Sequence, residues 1–118
     1  SLIIVRNQEL IEIEPDKSPI GHFVNEDYGL FTNKTEKIIE NDMIYLFSDG
    51  YSDQFGGHNQ QERKNGGIKF KYKNFKNLLV ECSSLDVSDQ SKKLSKTLAD
   101  WQGNLEQLDD ICVIGVRI

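Results

Sequence analysis

Apolar positions in this chain fall into short runs with two different periods. Residues 2–5 and 10–13 are apolar-rich and are separated by "RNQE", where Asn7 and its polar neighbours supply turn chemistry, so the pattern predicts a β-hairpin. Ile11 and Ile13 alternate with Glu12 and Glu14, which gives one buried and one wet face. "PDKSPIGH", residues 15–22, holds both prolines of the chain and a glycine, and breaks regular structure. "LFTNKTEKII", residues 30–39, carries enough β-branched and aromatic residues for a strand, and "ENDM" reads as a turn. Met43–Phe47 is apolar throughout, the pattern of a strand buried on both faces.

Further along, residues 56–68 hold four glycines and almost nothing apolar, which predicts a mobile surface loop. Tyr72, Phe75, Leu78, Leu79 and Cys82 then recur at steps of three and four, the stripe of an amphipathic helix over residues 72–82. "SSLD" ends it. Asp86 or Ser88 can cap a second helix over residues 87–101, with the stripe Val87, Leu94, Leu98 and Trp101 and with Gly103 as its stop. Residues 111–118 form a last strand, with Cys112, Ile114, Val116 and Ile118 on one face and Ile111 and Val113 on the other. Strands first, then two helices, then a returning strand give an α+β architecture.

Composition narrows the class. At 118 residues, 37% hydrophobic and 28% charged, the chain is a globular domain or part of one, able to bury a core without disulfide or metal staples. The net charge of −5, with acids and bases mixed, argues against a nucleic-acid surface. The basic stretch "KFKYKNFKNLL" places lysines and aromatics at helical spacing, as a solvated helix face does. No apolar run approaches the ~20 residues that span a membrane, and the first residues lack a signal peptide's features. Cys82 and Cys112 lie in apolar segments and read as buried free thiols of a reducing compartment. His22 and His58 have no zinc-ligand spacing.

The chemistry concentrates in two places. The run Met43–Phe47 leads straight into Ser48-Asp49-Gly50, and "QLDDICVIGVRI" sets Asp109 and Asp110 before another apolar run. Each site has an ordinary reading as a turn, in which aspartate caps and glycine bends. A calcium loop starting at Asp49 requires glycine sixth and glutamate twelfth, where Gln54 and Gln60 stand. An aspartyl-phosphate mechanism requires an acid two residues before Asp49, where Phe47 stands. A hard-metal site remains open beside the turn reading. Mg²⁺ and Mn²⁺ take carboxylate oxygens and water, and two strand-tip acids would converge if their strands are antiparallel neighbours.

"DMIYLFSDGYSDQFGG", a helix pair, and then "QLDDICVIGVRI" together resemble the C-terminal half of a metal-dependent serine/threonine phosphatase of the PPM family, in its bacterial SpoIIE-like or RsbU-like branch. "KSPIG" matches the short Pro-(Leu/Ile)-Gly element that precedes the (S/T)DG strand there. The resemblance spans essentially the whole chain. It implies one partial domain over residues 1–118, a truncated half of an α-β-β-α sandwich with a mostly antiparallel sheet and two helices on one face. It makes Asp49 and Asp109 ligands of one of two Mn²⁺ or Mg²⁺ ions. Asp110 would support them by hydrogen bonds, and Gly50 would turn the backbone without crowding the metal waters.

The implied reaction is hydrolysis of a phosphoserine or phosphothreonine protein by metal-activated water; in the bacterial branch the partner is a small anti-sigma-factor antagonist. The family's other acid, in a motif like DGxGHG, has no counterpart here. With a strand entered at the second residue, this predicts a piece of a catalytic domain that is inactive alone, with unpaired sheet edges that favour homodimers. The expected location is cytoplasmic, with tethering left to upstream domains and no membrane contact by this segment. The competing expectation is a non-catalytic module that keeps the fold and binds a partner.

Overall fold

The computed structural model describes residues 1–16 and 32–118. "KSPIG", His22 and the first two residues of the strand expected over 30–39 lie outside the described residues. Strand β1 (Leu2–Arg6) and strand β2 (Glu9–Ile13) form the expected hairpin, joined by Asn7 and Gln8. Both turn residues have positive φ, 51° and 66°, the left-handed pair that matches the twist of two antiparallel strands. β1 also pairs with β3 (Met43–Phe47), and β3 with β6 (Val113–Arg117). The result is an antiparallel sheet in the order β2-β1-β3-β6.

Helices α3 (Tyr72–Ser83) and α4 (Val87–Gln102) pack on one face of this sheet. Ile3, Val5, Met43 and Tyr45 point to them and meet Phe75, Leu78, Leu79, Cys82 and Trp101 in one core, with Leu94 and Leu98 at its margin. The helix stripes expected from their spacing therefore supply the packing. One exception is Val87, which is exposed; Gln90 takes the buried position on that turn of α4. Its side-chain oxygen accepts from the Tyr45 hydroxyl at 2.6 Å and its amide donates to the Leu85 carbonyl at 2.9 Å. A polar residue is stable there because both ends are satisfied.

On the other face of the sheet Ile4 of β1 is buried, but the part formed by β3 and β6 is open among the described residues. Leu46, Ile114 and Val116 are 48%, 52% and 48% exposed, so β3 is buried on one face instead of two. Cys112 belongs to the same face and is exposed, contrary to its apolar surroundings in sequence. Residues 32–39 form no strand. Their middle is polar, Ile38 and Ile39 are exposed, and β-propensity without a pairing partner does not make a strand. At the end of that segment Asp42, 1% exposed, takes a two-pronged bond from Arg6 of β1, Nε at 2.9 Å and Nη2 at 2.7 Å. This pair fixes the start of β3 against the end of β1.

The glycine-rich stretch is also more ordered in secondary structure than its composition predicts. It holds β4 (Phe55–Gly56), α2 (Gln60–Lys64) and β5 (Ile68–Lys69), with β4 and β5 paired antiparallel. Gly56 and Gly67 serve close packing. A methyl group on Gly56 would collide with the Trp101 carbonyl, and one on Gly67 would meet the Gly56 backbone. His58 lies against the Trp101 indole edge-on, with ring centres 5.0 Å apart.

Candidate metal centre

The ladder between β3 and β6 ends with Phe47 opposite Val113. Beyond that pair the two segments stay together. The Ser48 N–H donates to the Cys112 carbonyl at 3.0 Å. The Ser48 hydroxyl donates to the Asp110 carbonyl at 2.8 Å and accepts from the Cys112 N–H at 3.0 Å. Gly50 then rests on Asp110 so closely that a Cβ would strike the Asp110 carbonyl oxygen. Close approach is thus the reason for glycine at this position, and its φ lies outside the left-handed region. The end of β3 and the approach to β6 are side by side, so Asp49 and Asp109 emerge at the same end of the sheet.

Asp49 occupies the position before the short helix α1 (Gly50–Asp53). Its side chain makes no capping hydrogen bond, which removes the capping role that the turn reading gives it. Its carbonyl instead closes the turn, accepting from Asp53 N–H at 2.9 Å and from the Ser52 hydroxyl at 3.2 Å. Asp109 Oδ1 accepts from the Asp110 N–H at 2.7 Å. Both acids are exposed, as is Asp110, whose described contacts to the β3 tip run through its backbone carbonyl.

The tip is anchored from below. Tyr51 of α1 is buried, lies tilted against Phe75 at 4.9 Å and edge-to-face with Phe70 at 5.4 Å between ring centres, and donates its hydroxyl to the Leu94 carbonyl at 2.7 Å. Burial pushes its phenol well above the ordinary tyrosine range. Gln54, also buried, donates from its side-chain amide to the Phe55 and Glu106 carbonyls, both at 2.9 Å. Its own carbonyl accepts from the Trp101 indole at 3.1 Å. Ser48 is visible in sequence as part of Ser48-Asp49-Gly50, though not as a bond between the two segments; Gln54, a glutamine in a polar stretch, carries no signal.

The donor chemistry suits a hard divalent cation. Asp49 and Asp109 offer carboxylate oxygens from backbone held by the end of the sheet, with the carboxylates exposed to solvent. Among the described residues no group of three or more His, Cys, Asp or Glu is placed to hold an ion. As a donor set, Asp49 and Asp109 would supply two carboxylate ligands to an ion that keeps much of its water shell.

The family model for stage II sporulation protein E (SpoIIE) matches residues 1–118. A search of curated proteins finds no match. Among solved structures the chain is similar to the SiaA-PP2C domain of Pseudomonas aeruginosa, at 25% identity and a TM-score of 0.80. The alignment covers 99% of this chain and 42% of that one, so the chain spans less than half the length of its structural neighbour.

Proposed function

The chain belongs to the SpoIIE family, a family of PP2C-like phosphatase domains, and on that premise we propose that it is the C-terminal part of a metal-dependent protein serine/threonine phosphatase. The observation that carries this reading is the shared end of β3 and β6, where Asp49 and Asp109 stand on segments joined by the Ser48 hydroxyl. Asp49 and Asp109 would hold one Mn²⁺ or Mg²⁺. When bound, such an ion lowers the pKa of water and stabilises charge on phosphoryl oxygens.

The chain's own part is to present two carboxylates at fixed positions while leaving the space above them open to substrate. Gly50 keeps the α1 backbone against Asp110, and Tyr51 and Gln54 tie α1 into the core beneath. The substrate is a phosphoserine or phosphothreonine protein, a small anti-sigma-factor antagonist by the bacterial branch's habit. The fold class, one sheet with helices on a single face, supports an activity that resides in a complete α-β-β-α domain of which these residues form one half.

The test is turnover of p-nitrophenyl phosphate and of a phosphoserine protein with Mn²⁺. This polypeptide alone should be inactive, and a complete domain containing it should be active and lose activity in Asp49→Asn and Asp109→Asn. A complete domain whose turnover survives either substitution contradicts the reading. The shortage of ligands among the described residues favours a second reading, a non-catalytic phosphatase-like interaction module. An inactive complete domain that nonetheless binds its phosphoprotein supports that one.

A further inference from the structure

Two side chains join the segment that carries Asp49 to the segment that carries Asp109, one on each side of the acids. Before Asp49, the Ser48 hydroxyl donates to Asp110 O at 2.8 Å and accepts from Cys112 N–H at 3.0 Å. After it, the Gln54 amide donates to Glu106 O at 2.9 Å. Asp109 lies between Glu106 and Asp110, so the stretch that carries it is pinned at both ends to the stretch that carries Asp49. We infer that Ser48 and Gln54 are positioning residues, a two-point clamp that sets the separation and orientation of the Asp49 and Asp109 carboxylates for one divalent ion.

The chemistry of the two residues suits the task. A hydroxyl can donate and accept at once, so Ser48 continues the strand pairing for one further step where the regular β3–β6 ladder has ended. Gln54 is buried and held in turn, because its backbone carbonyl accepts from Phe70 N–H at 2.9 Å and from the Trp101 indole at 3.1 Å. The clamp is therefore attached to the core at one end and to the acid-bearing segment at the other. Tolerance is small: metal–oxygen distances near 2.1 Å for Mg²⁺ leave little room for a loose ligand pair. Outer residues that orient ligands typically change metal affinity by about 10- to 100-fold when removed.

The inference rests on the phosphatase reading of the two acids, and two measurements separate them. The first needs no metal. In Ser48→Ala, hydrogen exchange of the Cys112 amide should speed up by about tenfold, with Ser48→Thr restoring it. The second is an Mn²⁺ titration followed by broadening of amide resonances. Ser48→Ala, and Gln54→Met, which keeps volume and removes the amide, should each weaken binding by at least about tenfold with the melting of α3 and α4 unchanged, and Ser48→Thr should bind as the unsubstituted chain does. Unchanged Cys112 exchange overturns the clamp. Faster exchange with unaltered Mn²⁺ affinity overturns its positioning role and leaves it a structural bond. Mn²⁺ binding that ignores Asp49→Asn and Asp109→Asn overturns the reading of the acids beneath it, whatever the exchange shows.

Discussion

Phe47 and Val113 stand opposite each other as the last paired residues of β3 and β6, and the two acid-bearing segments leave that pair in company. Everything about the candidate centre depends on this register. A slip of one residue would turn every side chain of the slipped strand to the opposite face and carry Ser48 away from Asp110. Four further expectations follow from contacts on either side of it.

At the far end of β3, Arg6 holds Asp42 by two bonds, and the Asp42 carboxyl sits below the usual aspartate range chiefly because of them, with the Ile39 N–H adding to the effect. A carboxyl whose folded pKa is depressed stabilises the fold above its unfolded pKa of about 3.9, and loses that contribution as pH falls through the folded value. Asp42→Asn should lower the melting temperature at neutral pH and flatten its fall in acid. Some acid dependence should persist, since Glu12 is lowered in the same sense by the Tyr72 hydroxyl at 2.6 Å and by Lys76. Thermal melts from about pH 7 to pH 2 check this; an Asp42→Asn curve parallel to the original contradicts it.

Gln90 is the one polar residue that α4 sends into the core beside Tyr45. Gln90→Ala takes the short bond from the buried Tyr45 hydroxyl, leaving it only the Leu79 carbonyl at 3.4 Å, and should cost about 1–3 kcal/mol in urea unfolding. Tyr45→Phe combined with Gln90→Leu removes both partners, and should cost less than the sum of the two single changes. Additive losses would mean that the bond between them contributes nothing.

Leu46, Ile114 and Val116 form an apolar strip on the sheet face away from the helices. An uncovered face of this kind drives association, since each large side chain buried contributes about 1.5–3 kcal/mol. The polypeptide alone should self-associate with rising concentration in analytical ultracentrifugation, and Ile114→Lys should shift it toward monomer. A chain that sediments as monomer throughout contradicts the expectation.

The fold was legible in sequence where hydrophobic period decides structure. The β1–β2 hairpin, β3, both long helices and β6 all follow from spacing. It was illegible where a tertiary contact gives a residue its meaning. Gly56 and Gly67 look like loop glycines but serve close packing under Trp101 and within the β4–β5 pair. Cys112 and Leu46 look buried because alternation cannot say whether a second layer lies over the sheet. At the candidate centre the acids, Ser48 and Gly50 were visible as motif residues and Gln54 was not, and the roles of Ser48 and Gln54 come from hydrogen bonds spanning 62 and 52 residues of chain.

The most direct test of the paired acids is paramagnetic broadening by Mn²⁺ in the NMR spectrum of this polypeptide. Two carboxylates and retained water make a weak site, so millimolar ion is the appropriate range. The amides of residues 48–51 and 108–111 should broaden together, and the effect should disappear from both segments in Asp49→Asn and equally in Asp109→Asn. Broadening of one segment without the other, or broadening that survives either substitution, would mean that the two acids do not share an ion.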